Sequence, residues 1–167
     1  MSYTARRYDF HDKTADYARL AQELSALLAG ESDLVANAAN TAALLFAALP
    51  EVNWAGFYFL GDGELVLGPF QGKPACVRIA LGRGVCGAAA AQRRTLVVAD
   101  VQKFPGHIAC DAASRAEIVV PLVDSDALLG VLDIDSPQPA RFDAADARGL
   151  EALVGLLVAA SAAPRAR

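Results

Sequence analysis

The order of elements in this sequence predicts an α+β domain, with helices packed on one face of a mainly antiparallel sheet. Three observations point there. Long stretches with helical period occupy the two ends of the chain. The middle alternates short apolar runs with Gly- and Asp-rich turns, and one short helical run interrupts it. The chain has 167 residues, enough for one domain with a core and too few for two ordinary ones. Hydrophobic residues make up 54% and charged residues 20%, a globular rather than a disordered balance. The expected layout is therefore a single domain over residues 1–167. Its core spans about 14–160, between a short polar N-terminal segment and a C-terminal tail.

From Thr14 to Ala29 the apolar residues Tyr17, Leu20, Leu24 and Leu27 recur at helical spacing, and Gly30 closes the segment. Asp33 is placed to cap a second helix reaching Leu49, where Pro50 stops it. Trp54 to Leu60 reads as an aromatic strand. Gly61-Asp62-Gly63 turns it into a second run, Glu64 to Leu67. Cys76 to Leu81 is a third strand, followed by a short helix from near Cys86 to Arg93 and a fourth strand, Thr95 to Ala99. Asp100 to Ser114 is a long loop without period. Glu117 to Val123 and Ala127 to Asp135 then form a hairpin about Asp124-Ser125-Asp126. A final helix begins at Phe142-Asp143, with Asp143 and Asp146 as a variant capping box and Leu150, Leu153, Val154 and Leu157 as its apolar face.

The net charge of −4, the pI near 5.1 and the lack of a basic stripe argue against a nucleic-acid binder. The N-terminus carries no apolar signal core, and Ala152 to Pro164 falls short of the roughly 20 apolar residues that span a bilayer. A cytoplasmic protein without membrane attachment is expected. In that compartment a disulfide is more often catalytic or redox-sensing than structural.

This puts weight on Cys76, Cys86 and Cys110. No CxxC occurs, and His11 and His107 lie far apart, so the sequence offers no zinc signature and no metal site is expected. Each cysteine alone reads equally well as a small buried hydrophobe. Cys86 stands at the N-terminus of the short helix, where the helix dipole is expected to lower a thiol pKa. His107 reads as a surface loop imidazole.

The second hairpin yields a geometric expectation. With a three-residue turn, Val123 faces Ala127 and Glu117 falls opposite Asp133. Asp133 and Asp135, two apart on a strand, share a face. Three carboxylates then converge on one patch, an arrangement that binds a cation or keeps one acid protonated. The alternative is an edge hairpin with its acids in water. Trp54 and Tyr58, four apart on one strand, share a face as an apolar wall beside a polar pocket, or are simply core.

Taken together, Asn53-Trp54-Ala55-Gly56-Phe57-Tyr58, Gly68-Pro69-Phe70-Gln71-Gly72 and Gly84-Val85-Cys86-Gly87 resemble the free methionine-R-sulfoxide reductases. So do His107-Ile108-Ala109-Cys110-Asp111, Glu117-Ile118-Val119-Val120-Pro121 and Leu132-Asp133-Ile134-Asp135-Ser136, in the same order along most of the chain. The resemblance implies a single GAF domain with a six-stranded antiparallel sheet flanked by N- and C-terminal helices. It implies reduction of free L-methionine (R)-S-oxide to methionine. Cys110 would be the nucleophile, a sulfenic acid would form on it, and either Cys76 or Cys86 would close a disulfide with it. Thioredoxin would supply the electrons, with no bound cofactor. Glu117, Asp133 and Asp135 would hold the α-ammonium group and protonate the sulfoxide oxygen, and Trp54 and Tyr58 would pack the S-methyl group. A homodimer is expected, since GAF domains often pair through terminal helices. One departure is Ala116, where the family pattern suggests serine near Glu117. The rival readings are a GAF-type ligand sensor without catalysis and a thiol peroxidase or redox sensor. A sensor has no use for three thiols beside three acids, and a peroxidase none for the acids.

Overall fold

The computed structural model describes residues 8–106 and 111–162. In chain order they form α1 (Lys13–Leu28), α2 (Leu34–Ala48), β1 (Trp54–Gly61), β2 (Glu64–Gly72), β3 (Arg78–Ala80), α3 (Gly84–Gln92), β4 (Leu96–Val98), β5 (Ala116–Asp124), β6 (Ala127–Ser136) and α4 (Ala144–Ala162). The six strands make one sheet in the order β3-β2-β1-β6-β5-β4, antiparallel throughout. Among the described residues no helix is long and apolar enough to cross a membrane.

The sheet has two covered faces, and strand alternation sorts the side chains between them. Ala55 and Phe57 of β1 join Ala116, Ile118, Val120, Leu132 and Ile134 in a core beneath α1, α2 and α4. Trp54 and Tyr58 point the other way, with Val119, Val131 and Leu65, beneath α3. Burial on both faces explains why β1 is buried without interruption from Trp54 to Tyr58. The expectation of helices on one face holds for the three long helices. The short α3 lies across the other face, which it reaches through Val85, Cys86, Ala89 and Ala90.

The starts of α2 and α4 follow the caps read from the sequence, and Asp12 adds one at α1 that was not foreseen. The Asp12 and Asp33 carboxylates accept from the Ala15 and Ala36 N–H groups at 3.1 and 2.9 Å. At α4 the capping box is reciprocal: Asp143 accepts from the Asp146 N–H at 3.2 Å, and Asp146 accepts from the Asp143 N–H at 2.9 Å. Strand ends follow less well. β2 continues to Gly72 instead of ending at Leu67, because a bulge at Gly68-Pro69 absorbs the residues that break the ladder. Pairing resumes at Gly56 with Phe70. β3 and β4 are shorter than their apolar runs suggest.

The β5–β6 register corrects the expected one. The turn holds two residues, Ser125 and Asp126, with Ser125 at φ +54° and Asp124 paired to Ala127. A bulge at Leu129 then shifts the ladder once more, so Leu122 pairs with Gly130. Glu117 therefore faces Asp135, and Asp133 faces Val119. The total slip is two residues, which preserves the side-chain face; a slip of one would have reversed it. Gly130 allows β1 and β6 to approach here, since a Cβ at that position would collide with the Tyr58 carbonyl oxygen.

One buried carboxylate joins the two ends of the chain. Asp146, fully buried, accepts from the Tyr17 hydroxyl at 2.9 Å and pairs with Lys13 at 2.6 Å and Arg141 at 3.5 Å. The Arg141 side chain is itself 6% exposed, so removing Asp146 strands a buried cation. Asp146→Ala should cost about 3 kcal/mol or more. The reading is a lower urea midpoint at unchanged slope; a loss within the ~1 kcal/mol of a surface pair would show that α1 and α4 are held by apolar packing alone.

Candidate active site

Hydrogen-bonded neighbours line up across an antiparallel sheet, so the register names the residues that meet. One row runs Trp54, Asp135, Glu117, Val98 across β1, β6, β5 and β4. The next runs Gly56, Asp133, Val119, Leu96, and a third holds Tyr58, Val131 and Pro121. Three carboxylates thus occupy adjoining lattice points on the α3 face, framed by aliphatic and aromatic side chains. Together with Trp54, Tyr58 and Cys86 they line one cleft.

These acids are not in water. Glu117 and Asp133 are each 6% exposed, and Asp135 is half-buried. None of the ion pairs among the described residues involves any of the three. Burial without a counter-charge favours the neutral form. Burial pushes Asp133 up from 3.8 to about 7, although hydrogen bonds from Cys86 and Glu117 work the other way. Glu117 is held well above the usual carboxylate range by burial and by the charges of Asp133 and Asp135. Asp135 is raised by burial, then by Asp133 and Asp111. The Oδ1 atom of Asp133 is buried without a hydrogen-bond partner.

Gly56 decides the aromatic wall. A Cβ there would collide with Phe70 and come within 2.6 Å of the Trp54 ring, so the absence of a side chain lets the indole lie across the strand. Trp54 stacks on Phe70 at 5.4 Å and on Tyr58 at 5.9 Å between ring centroids. Its Nε1–H donates to the Lys73 carbonyl at 3.1 Å, which ties the segment after β2 over the cleft. At the mouth Lys73 pairs with Asp111 at 3.2 Å. Trp54 and Tyr58 are therefore both core and wall, the two roles that the sequence leaves open.

The cysteines separate. Cys76 is disulfide-bonded, and its side chain packs at the edge of the same apolar cluster. Cys86 is free and buried, the third residue of α3. Its Sγ lies 3.8 Å from Glu117 Oε1. The expected lowering of its pKa by the helix dipole is overturned: burial first, then the charges of Asp133 and Glu117, push the thiol well above 9.0. The magnitudes explain the outcome. A helix terminus contributes about 0.3–1 kcal/mol, whereas full burial shifts a pKa by up to about 3–5 units, roughly 4 kcal/mol or more. Cys110 and His107 lie outside the described residues.

Ala116 is fully buried on the opposite face of the sheet, in the core beneath the long helices. A hydroxyl there would not point toward Glu117, so this departure leaves the cleft untouched. The cleft also includes Lys73, Arg83 and Ser114, which sequence reasoning missed. Their positions, just after a strand, just before a helix and at the end of a loop, carry no periodic signal. Also unforeseen, one ligand atom from each of Cys86, Glu117 and Asp133 lies within 4.8 Å of the others.

Residues 31–160 match the GAF domain family. The chain is 57% identical over 141 residues to Protein YtsP of Bacillus subtilis, covering 83% of this chain and 86% of that protein. It is 56% identical over 146 residues to the free methionine-R-sulfoxide reductase of Escherichia coli, covering 87% and 88%. An X-ray structure of free methionine-R-sulfoxide reductase from Neisseria meningitidis in complex with its substrate superposes with a TM-score of 0.86 at 45% identity, covering 96% of this chain and 94% of that one. With an antiparallel six-stranded sheet between helices, and a match that runs through every strand lining the cleft, this chain belongs to the GAF-domain family and, within it, to the free methionine-R-sulfoxide reductases.

Proposed function

We propose that this chain reduces free L-methionine (R)-S-oxide to L-methionine through cysteine thiols, with thioredoxin as the electron donor and no bound cofactor. The observation that carries the reading is the convergence, in one cleft, of three carboxylates without an ion-pair partner among the described residues, two of them buried, and a stacked aromatic wall, with an oxidised Cys76 packed beside it. The 56% identity to a relative named for this activity supports the same substrate.

The chemistry needs an acid that is neutral at working pH. As the Cys110 thiolate attacks sulfur, the sulfoxide oxygen takes a proton and passes to Cys110 as a sulfenic acid, and methionine leaves. Sulfoxide sulfur is reduced and Cys110 is oxidised. A carboxylic acid raised to about 7, as Asp133 is, keeps its proton to donate. The substrate's α-ammonium brings a positive charge, which favours ionisation of the carboxylate it meets among Glu117, Asp133 and Asp135. That group is free only in the amino acid itself and not within a peptide, which accounts for selection of the free form. Trp54 and Tyr58 pack the S-methyl group and thereby set the R preference.

Cys76 then condenses with the Cys110 sulfenic acid, releasing water and closing a disulfide that a dithiol of the thioredoxin class reduces. The sequence contains three cysteines, and Cys86 is buried, free and held neutral beside Glu117. The resolving role therefore falls to Cys76. Cys86 acts as a hydrogen-bond donor to Glu117. The cytoplasm, where thioredoxin keeps thiols reduced, is the matching compartment, and a homodimer is the expected assembly.

Cys110→Ser should yield no methionine even in a single turnover. Cys76→Ser should release one methionine per enzyme and then stop, with a sulfenic acid open to dimedone; sustained turnover in that variant would move the resolving role to Cys86. In a coupled NADPH assay with thioredoxin and its reductase, the free R-sulfoxide should turn over, and the free S-sulfoxide and a peptide-bound R-sulfoxide should not.

The pH dependence has a definite sign. Folded Asp133 keeps a proton that the unfolded chain loses above about 4, so the stability this group contributes falls as pH rises from about 4 through about 7. Turnover should decline over the upper part of that window as the acid is lost. Asp133→Asn should flatten both the stability trend and this limb of the rate profile. An unchanged high-pH limb in that variant would remove Asp133 as the acid.

A further inference from the structure

We propose that Cys86, Glu117 and Asp133 form a binding site for a borderline-soft divalent cation, zinc above all, on the floor of the cleft. Two independent features meet there, the spacing of the donor atoms and a buried carboxylate oxygen left without a partner. One donor atom of each residue lies within 4.8 Å of the other two. The Cys86 Sγ to Glu117 Oε1 separation is 3.8 Å, while sulfur and oxygen bound at about 2.3 and 2.0 Å to a tetrahedral zinc stand about 3.5 Å apart. Asp133, 6% exposed, has a buried Oδ1 with no partner, and no ion pair among the described residues neutralises either acid. Among the described residues the cluster has no cation beside it, only the protons that its own groups hold.

The donor set selects the ion. A thiolate with two carboxylates suits zinc or cobalt; magnesium and calcium prefer oxygen alone and more of it. Three protein ligands with the fourth position open to the cleft is the pattern of an accessible zinc site rather than a closed structural one. The metal takes the place of protons that these groups otherwise hold. It would also occupy the carboxylates assigned above to the α-ammonium and the proton, and so act as a reversible brake on reduction; this last clause rests on the proposed function.

The test uses the full-length oxidised protein, in which the disulfide withholds Cys76, and cobalt(II) as the probe. A saturable thiolate-to-cobalt charge-transfer absorption is expected, displaced by zinc and not by magnesium. Cys86→Ser should lose the band. Asp133→Asn should weaken cobalt binding by more than about tenfold, since even loss of an outer-shell partner costs 10–100-fold. Circular dichroism checks that both variants fold. No band in the wild type, an equal band in Cys86→Ser, or unchanged affinity in folded Asp133→Asn each overturns the site. In turnover, zinc should raise KM for the sulfoxide; normal KM at saturating zinc overturns the brake alone. Because binding is read without turnover, failure of the reductase reading leaves the metal test intact.

Discussion

Carboxylates placed side by side on a sheet and shut away from water need protons or a cation, and much of this molecule follows from that requirement. Glu117, Asp133 and Asp135 stand on neighbouring lattice points of β5 and β6, and among the described residues no side-chain cation pairs with them. An exposed hairpin would leave such acids ionised and ordinary. Here α3, the Trp54–Phe70 stack and the segment carrying Lys73 close over them. Burial then converts three anions into a store of protons beside a cleft. The same burial holds the Cys86 thiol neutral, so one physical cause sets the protonation of four groups at once.

The scaffold is built to hold that arrangement still. The opposite face of the sheet carries the larger aliphatic core under α1, α2 and α4, and Asp146 binds the first helix to the last through Tyr17, Lys13 and Arg141. With both faces covered, the central strands β1, β6 and β5 have little freedom to slide. Side chains on rigid strands are held more closely than side chains on loops. The open position of the cleft lies over these strands, where a substrate or an ion meets groups already in place.

The β5–β6 hairpin shows how local errors can cancel. The turn is one residue tighter than its Asp-Ser-Asp composition suggests, and a bulge at Leu129 adds a second shift. Each alone would have put Glu117 on the opposite face from Asp133 and Asp135, paired with Ile134. Together they restore the parity, so the convergence of the acids survives although the pairing partner of Glu117 changes from Asp133 to Asp135. Convergence depends on parity alone; pairing depends on the full count. A pattern of period two encodes the first and is blind to the second.

The sequence by itself determined the element order, the three long helices with the caps at Asp33 and Asp143, the sharing of a face by Asp133 and Asp135, and the family to which Trp54, the cysteines and the acids belong. These are local facts, written in periodicity, capping chemistry and motif order. Only the tertiary structure decided that α3 crosses to the far side, that Gly56 makes room for the Trp54 indole, that Ala116 faces away from Glu117, and that Lys73, Arg83 and Ser114 line the same cleft. It also reversed the expectation for Cys86. A helix terminus can be read from neighbours in the chain, but its electrostatic effect is weak. Desolvation by residues distant in sequence is strong, and that comes into being only when the sheet and α3 close on each other.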